Sequence, residues 1–146
     1  MPLLTTLVNK SLLRVAAPGR YSLHELLRHY LQEKLTADER QQQALAHCRY
    51  YANLAATQTP CWETDHEPQA LAALHLALDN LWAAWEWLLA SVEAPSDNEP
   101  TDAIRVELLG ALLPALAHFY LRQGRYQEGR ALFATIQQTL RRAGWA

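Results

Sequence analysis

The cysteine and histidine residues are the first candidates for chemistry in this chain. Cys48 directly follows His47, and Cys61 precedes His66 by five positions. These pairs are too sparse for the regular ligand spacing of a zinc site. A nucleophilic thiol also needs a positioned base, and no strand-turn-helix pattern leads into either cysteine. The two thiols could pair, but a cytosolic chain of this size needs no disulfide. We therefore predict free thiols, no metal site and no catalytic residue.

The sequence also lacks the motif of a phosphate-binding loop. A phosphate-binding loop needs the pattern Gly-x-x-x-x-Gly-Lys-[Ser/Thr], whose backbone amides surround the phosphates. The five glycines, at positions 19, 110, 124, 129 and 144, do not have that spacing. We predict that this chain binds no cofactor by itself and is not an enzyme.

Composition excludes two further classes of function. The 146 residues include 13 Lys and Arg against 15 Asp and Glu, a formal net charge of −2. This balance gives no general attraction to nucleic acid or to anionic membranes. No apolar run approaches the roughly 18 to 20 residues of a membrane span, and the N-terminus has no secretory pattern. We expect a cytoplasmic protein that contacts no membrane.

Residues 1–35 predict a helix, a β-hairpin and a second helix. Apolar residues at helical spacing indicate both helices, and two short extended runs flank a Pro-Gly pair typical of a turn. The predicted elements are a helix at 3–10, strands at 12–15 and 20–23, and a helix at 24–35.

Residues 36–146 predict an antiparallel array of helices. Thr36 and Glu39 have the spacing of a capping box, in which each side chain satisfies the other's backbone N–H. Leucine and tryptophan recur at helical spacing in a strongly apolar segment. The acidic, proline-bearing stretch 93–101 predicts a mobile loop. The predicted helices are 36–56, 69–91, 102–123 and 126–142, so the fold class is mainly α with one β-hairpin.

Residues 110–143 resemble one tetratricopeptide repeat, a helical hairpin of 34 residues. The resemblance depends on Leu116, Ala117, Tyr120, Gly124, Tyr126, Gly129 and Phe133. Gly129 replaces the usual alanine, and Arg141 replaces the usual proline. The resemblance implies an extended surface for a ligand or partner. Candidate contacts near the turn are Tyr120, Arg122, Arg125 and Tyr126, although residues of these types are more often packing or solvated residues.

Three motifs in series resemble bacterial STAND-class regulatory ATPases of the NB-ARC and LuxR type. They are 7–13 with 19–30, which resemble the end of the winged-helix domain, 78–87, which resembles the first helix of the sensor region, and 124–130. The resemblance implies a winged-helix remnant at 1–35 and the start of a TPR-like sensor array at 36–146. It also implies that ADP and ATP bind to the nucleotide-binding domain of a parent chain.

His24 is the functional residue that this resemblance implies. Leu23-His24-Glu25 matches a hydrophobic-His-Asp style motif, with Glu25 in place of the commoner Asp. The family's histidine faces the β-phosphate of ADP and helps to hold the inactive state. A helix N-terminus favours such an anion. The alternative is that His24 only caps or packs at the start of a helix.

These observations lead to one expected function and one alternative. We expect a non-catalytic module that senses a protein or small-molecule inducer and couples it to the parent's nucleotide-binding domain. The alternative is a free-standing helical adaptor that binds another protein. Direct nucleic-acid binding is not expected, because the first helix offers few cations and the helices that should precede it are missing.

Overall fold

A computed structural model describes residues 2–17, 19–93 and 99–142 of the chain. Within them, helices dominate and two strands pair as an antiparallel hairpin, so the predicted mainly α fold with one hairpin is confirmed. The elements are α1 (Pro2–Asn9), β1 (Leu13–Ala17), β2 (Arg20–Leu23), α2 (Glu25–Lys34), α3 (Ala37–Gln58), a 3₁₀ turn (Thr59–Cys61), α4 (Glu67–Glu93), α5 (Glu99–Arg122) and α6 (Tyr126–Arg142). In the predicted mobile loop at 93–101, residues 94–98 lie outside the described residues.

The chain divides into two compact units, Met1–Gln43 and Ala44–Ala146. The division falls inside α3, whereas the sequence suggested one at 35–36. The first turn of α3 begins with the predicted capping box. Thr36 Oγ1 accepts the N–H of Glu39 at 3.2 Å, and Glu39 Oε2 accepts the N–H of Thr36 at 2.8 Å. These bonds satisfy donors that an α-helix leaves unpaired at its start.

The first unit contains the hairpin and no closed core. Leu13 pairs with Leu23 and Val15 with Tyr21, and the register shifts between Val15 and Ala17. Gly19 has a φ of +73°, a conformation that glycine adopts without steric cost. None of the described residues of the first unit is fully buried. Large apolar side chains are exposed instead: Leu3, Val15, Tyr21, Leu26, Tyr30 and Leu31.

The second unit has a continuous hydrophobic core. Its centre is α4, where buried residues recur at helical spacing between Leu74 and Leu89. Alanines at Ala52, Ala55 and Ala77 are almost inaccessible. The largest buried side chains around them are Trp85, Phe119, Leu74, Leu81, Leu88, Leu112, Leu116 and Leu132.

Helix α5 contains the stretch that bears on the expectation that the chain does not cross a membrane. Among the described residues, the stretch Ala103–Arg122 is long and apolar enough by composition to cross a membrane. Its two charged residues near the start, Arg105 and Glu107, do not end the helix, and the helix continues across Pro114. In this structure 39% of the apolar window is buried against the protein. A core helix of a soluble protein passes the same test, so this stretch is weak evidence for a membrane span.

Candidate functional site

His24 lies at the N-terminus of α2 and caps it. Its Nδ1 accepts the backbone N–H of Leu26 at 3.3 Å, and its own backbone is extended. With Nδ1 as acceptor, a neutral imidazole carries its proton on Nε2, which remains a donor. The side chain is exposed. The capping role is therefore present in the structure, and contact with a phosphate stays a prediction.

The residue after His24 is engaged within its own helix. Glu25 forms an ion pair with Arg28 at 2.5 Å and approaches His29 Nε2 at 3.1 Å. The hydrogen bond from Arg28 holds the pKa of Glu25 below its usual value. A negative charge in the first turn also complements the helix dipole.

Tyr120, one of the four predicted partner contacts, is buried. Its hydroxyl accepts a hydrogen bond from the indole N–H of Trp82, and the residue is 2% exposed. The guanidinium of Arg125 lies 5.1 Å from the ring centroid. In this structure Tyr120 joins α5 to α4, and Arg125 covers its outer side.

Arg122 belongs to a polar cluster that also contains Trp62, Glu67 and His118. One oxygen of Glu67, Oε1, lies 2.7 Å from both His118 Nε2 and Arg122 Nε. The hydrogen bond from His118 is the main reason that the pKa of Glu67 lies below its usual value. The His118 ring stacks on Trp62 with centroids 4.2 Å apart and planes within 9°. The cluster links α5 to the start of α4 and to the loop before it.

An apolar groove runs along the α5–α6 hairpin beside this cluster. Its volume is about 570 Å³, within the usual range for ligand sites. Positions 114, 117, 118 and 121 form one wall and positions 126, 129, 130 and 133 form the other. The lining residues are Trp62, Pro114, Ala117, His118, Leu121, Tyr126, Gly129, Arg130 and Phe133. Among the described residues, the lining includes one permanent cation, Arg130, and no carboxylate.

Small residues form the floor of the groove and large ones form its rim. Ala117 and Gly129 are half-buried, while Leu121, Tyr126 and Phe133 are 57%, 61% and 50% exposed. Isolated exposed apolar residues are common, but three around one concave surface are typical of a binding site. Tyr126 is therefore the predicted partner contact that also lines this groove.

Both cysteines lie in the described part of the chain, and one of them is buried in the core. Both cysteines are free, as predicted. Cys48 is 1% exposed, its Sγ lies 3.6 Å from the carbonyl oxygen of Ala84, and burial raises the pKa of its thiol to about 11. A thiol with that pKa is protonated at neutral pH and is a poor nucleophile. Among residues 2–17, 19–93 and 99–142 no group of three or more His, Cys, Asp and Glu side chains could hold a metal ion.

Sequence reasoning did not predict a groove here, although four of its lining residues belong to the repeat-like motif at 110–143. The matched spacing of positions 114–121 and 126–133 was visible, because residues at i, i+3, i+4 and i+7 share a helix face. No periodic spacing pointed to Trp62, since it lies in the loop between α3 and α4. Comparison of the chain with protein-family models, with curated proteins and with solved structures finds no match. The fold and the site therefore define only a structural class: a helical array with an apolar groove on its last described hairpin.

Proposed function

We propose that this chain is a non-catalytic sensing and protein-interaction module of a STAND-type regulatory ATPase. The observation that carries the proposal is the groove, with Leu121, Tyr126 and Phe133 exposed around a concave apolar surface. Aromatic side chains in pockets are typical anchors of protein interfaces. The proposed inducer or partner binds there.

The position of the groove on α5 suggests how binding could be coupled. Ala117, His118 and Leu121 line the groove, whereas Leu116 and Phe119 of the same helix are in the core. Close-packed cores do not deform continuously, so a ligand that shifts α5 must also disturb its buried face. A signal would then reach α4, to which α5 is joined by the bond between Trp82 and Tyr120.

The first unit supports the parent-chain part of the proposal. Its apolar residues are exposed and no described residue is fully buried, as expected for a piece that packs on a further domain. The proposed partner of this unit is the nucleotide-binding domain of the parent, with ADP in the inactive state. The free-standing adaptor remains the second candidate, and it requires no nucleotide domain.

Replacing His24 tests the nucleotide-sensing role in the parent ATPase. His24→Ala removes both the helix cap and the imidazole, whereas His24→Ser keeps a capping oxygen and removes only the imidazole. If His24 contacts ADP, both variants release ADP faster and raise basal activity, because the phosphate loses a donor in each. ADP release can be followed with a fluorescent ADP analogue. If His24→Ser behaves as wild type while His24→Ala does not, His24 is only a cap.

Site-specific photocrosslinking tests the interaction function of this chain. A benzophenone amino acid at Tyr126 or Phe133 should give a discrete adduct in the cells that express the protein. The same amino acid at Leu76, exposed on α4 and outside the groove lining, provides the control. Adducts of the same size from all three positions, or none from the two groove positions, would contradict the proposal.

A further inference from the structure

We infer that the groove binds a two-turn amphipathic helix of a partner protein, with an acidic side chain that meets Arg130. This inference rests on the proposed function and specifies the chemistry of the partner. It follows from the shape of the groove, from its charge and from the residues that surround Arg130.

The shape of the groove matches a helix. Both walls are stripes at i, i+3, i+4 and i+7, from 114 to 121 on α5 and from 126 to 133 on α6. The seven steps from i to i+7 rise about 10 Å along a helix axis, which is two turns. A partner helix with apolar residues at the same spacing presents a matching stripe, as in helix-in-groove recognition. Such a stripe would cover Leu121, Tyr126 and Phe133 together.

The charge of the groove favours an acidic partner. Residues 99–142, which form α5 and α6 with the turn between them, contain six arginines against four acidic residues, whereas the whole chain has a net charge of −2. Arg122 and Arg125 are neutralised by Glu67 and Glu128 at 2.7 and 3.0 Å. Arg130 lines the groove and has no carboxylate partner among the described residues. An Asp or Glu on the partner would complete this pairing.

The ion pair with Arg130 and the apolar stripe should contribute unequally to the binding affinity. An exposed ion pair changes affinity by about fivefold or less, because water and salt screen it. Apolar anchors in a groove dominate binding, so loss of one should weaken it by more than about tenfold. We therefore expect the acidic side chain of the partner to determine which helix binds, and the apolar stripe to determine how tightly it binds.

Two synthetic 16-residue helical peptides test the inference on the full chain. Both carry leucine at i, i+3, i+4 and i+7, and they differ only in glutamate or lysine at the other positions. Binding is measured by fluorescence anisotropy of labelled peptide at low salt. We expect the glutamate peptide to bind at least about threefold more tightly than the lysine peptide, with the preference lost in high salt.

Three variants locate the binding site. Arg130→Glu should remove or reverse the preference for the glutamate peptide. Phe133→Ser, at a half-exposed position of the groove, should weaken both peptides by more than about tenfold. Arg49→Glu makes the same charge change at an exposed position on α3 outside the groove and should leave the preference intact.

Three outcomes would overturn the inference. They are equal binding of the two peptides, binding of neither, and loss of the preference in Arg49→Glu to the same extent as in Arg130→Glu. A discrete crosslinked partner at Phe133 combined with any of them would leave the proposed function standing. Absence of the crosslink would remove the proposed function as well.

Discussion

Replacing Trp85 with alanine is expected to lower the free energy of unfolding by about 3 to 5 kcal/mol. Trp85 is 1% exposed and lies in the middle of α4, among buried side chains of the second unit. The truncation removes a large apolar area from the core and leaves a cavity that close-packed neighbours fill only in part. A loss of this size is a large share of the stability of a small domain.

Equilibrium urea unfolding, followed by circular dichroism, measures the effect. Leu76→Ala is the matched control, because it truncates an apolar side chain of the same helix that is 62% exposed. The control should change the free energy of unfolding by no more than about 0.5 kcal/mol. Similar losses in both variants would mean that α4 does not bury Trp85 in solution.

Gly124→Ala is expected to destabilise the protein by about 1 to 2 kcal/mol. Gly124 ends α5 with a φ of +68°, the left-handed conformation that disfavours a side chain. Its N–H donates to the carbonyl of Leu121 at 3.2 Å, and the N–H of Arg125 donates to that of Tyr120 at 2.9 Å. This pair of bonds is the Schellman arrangement, which closes a helix and satisfies its last carbonyls. The substitution strains the turn that joins α5 to α6.

Gly110→Ala should instead raise the free energy of unfolding. Gly110 is an exposed interior residue of α5, and an added Cβ would meet no atom within 4 Å. Alanine there limits the freedom of the unfolded chain and should stabilise the protein by about 0.4 to 1 kcal/mol. Thermal or urea unfolding of both variants checks the prediction. If Gly124→Ala and Gly110→Ala changed the free energy of unfolding in the same direction, the backbone conformations assigned to these two glycines would be contradicted.

Local patterns predicted most of the elements. The Thr36–Glu39 capping box, the hairpin pairing of residues 13–17 with 20–23 and the helix stop at Gly124 all depend on residues close in sequence. Their free energies come from hydrogen bonds and backbone preferences within a few positions, so a single sequence contains the relevant information. The ends of helices shifted by only a few residues, as fraying ends do.

The candidate site depended on contacts that no local pattern contains. His118 meets Glu67 and Trp62 across more than fifty positions in the chain. Periodicity placed Tyr120 on α5 but could not show that its hydroxyl bonds to Trp82. The rotation of each helix about its axis decides such contacts, and that rotation is set by packing against all its neighbours.

The sequence by itself determined a mainly helical chain with one hairpin, its helix caps, its free cysteines and the absence of a phosphate-binding loop. These features follow from residue types and short-range spacing. Only the tertiary structure decided that Tyr120 is buried, that Arg122 pairs with Glu67, and that Ala117 and Gly129 lie at the floor of an apolar groove. Burial and ion pairing depend on which helix faces meet, and that is a property of the whole packed unit.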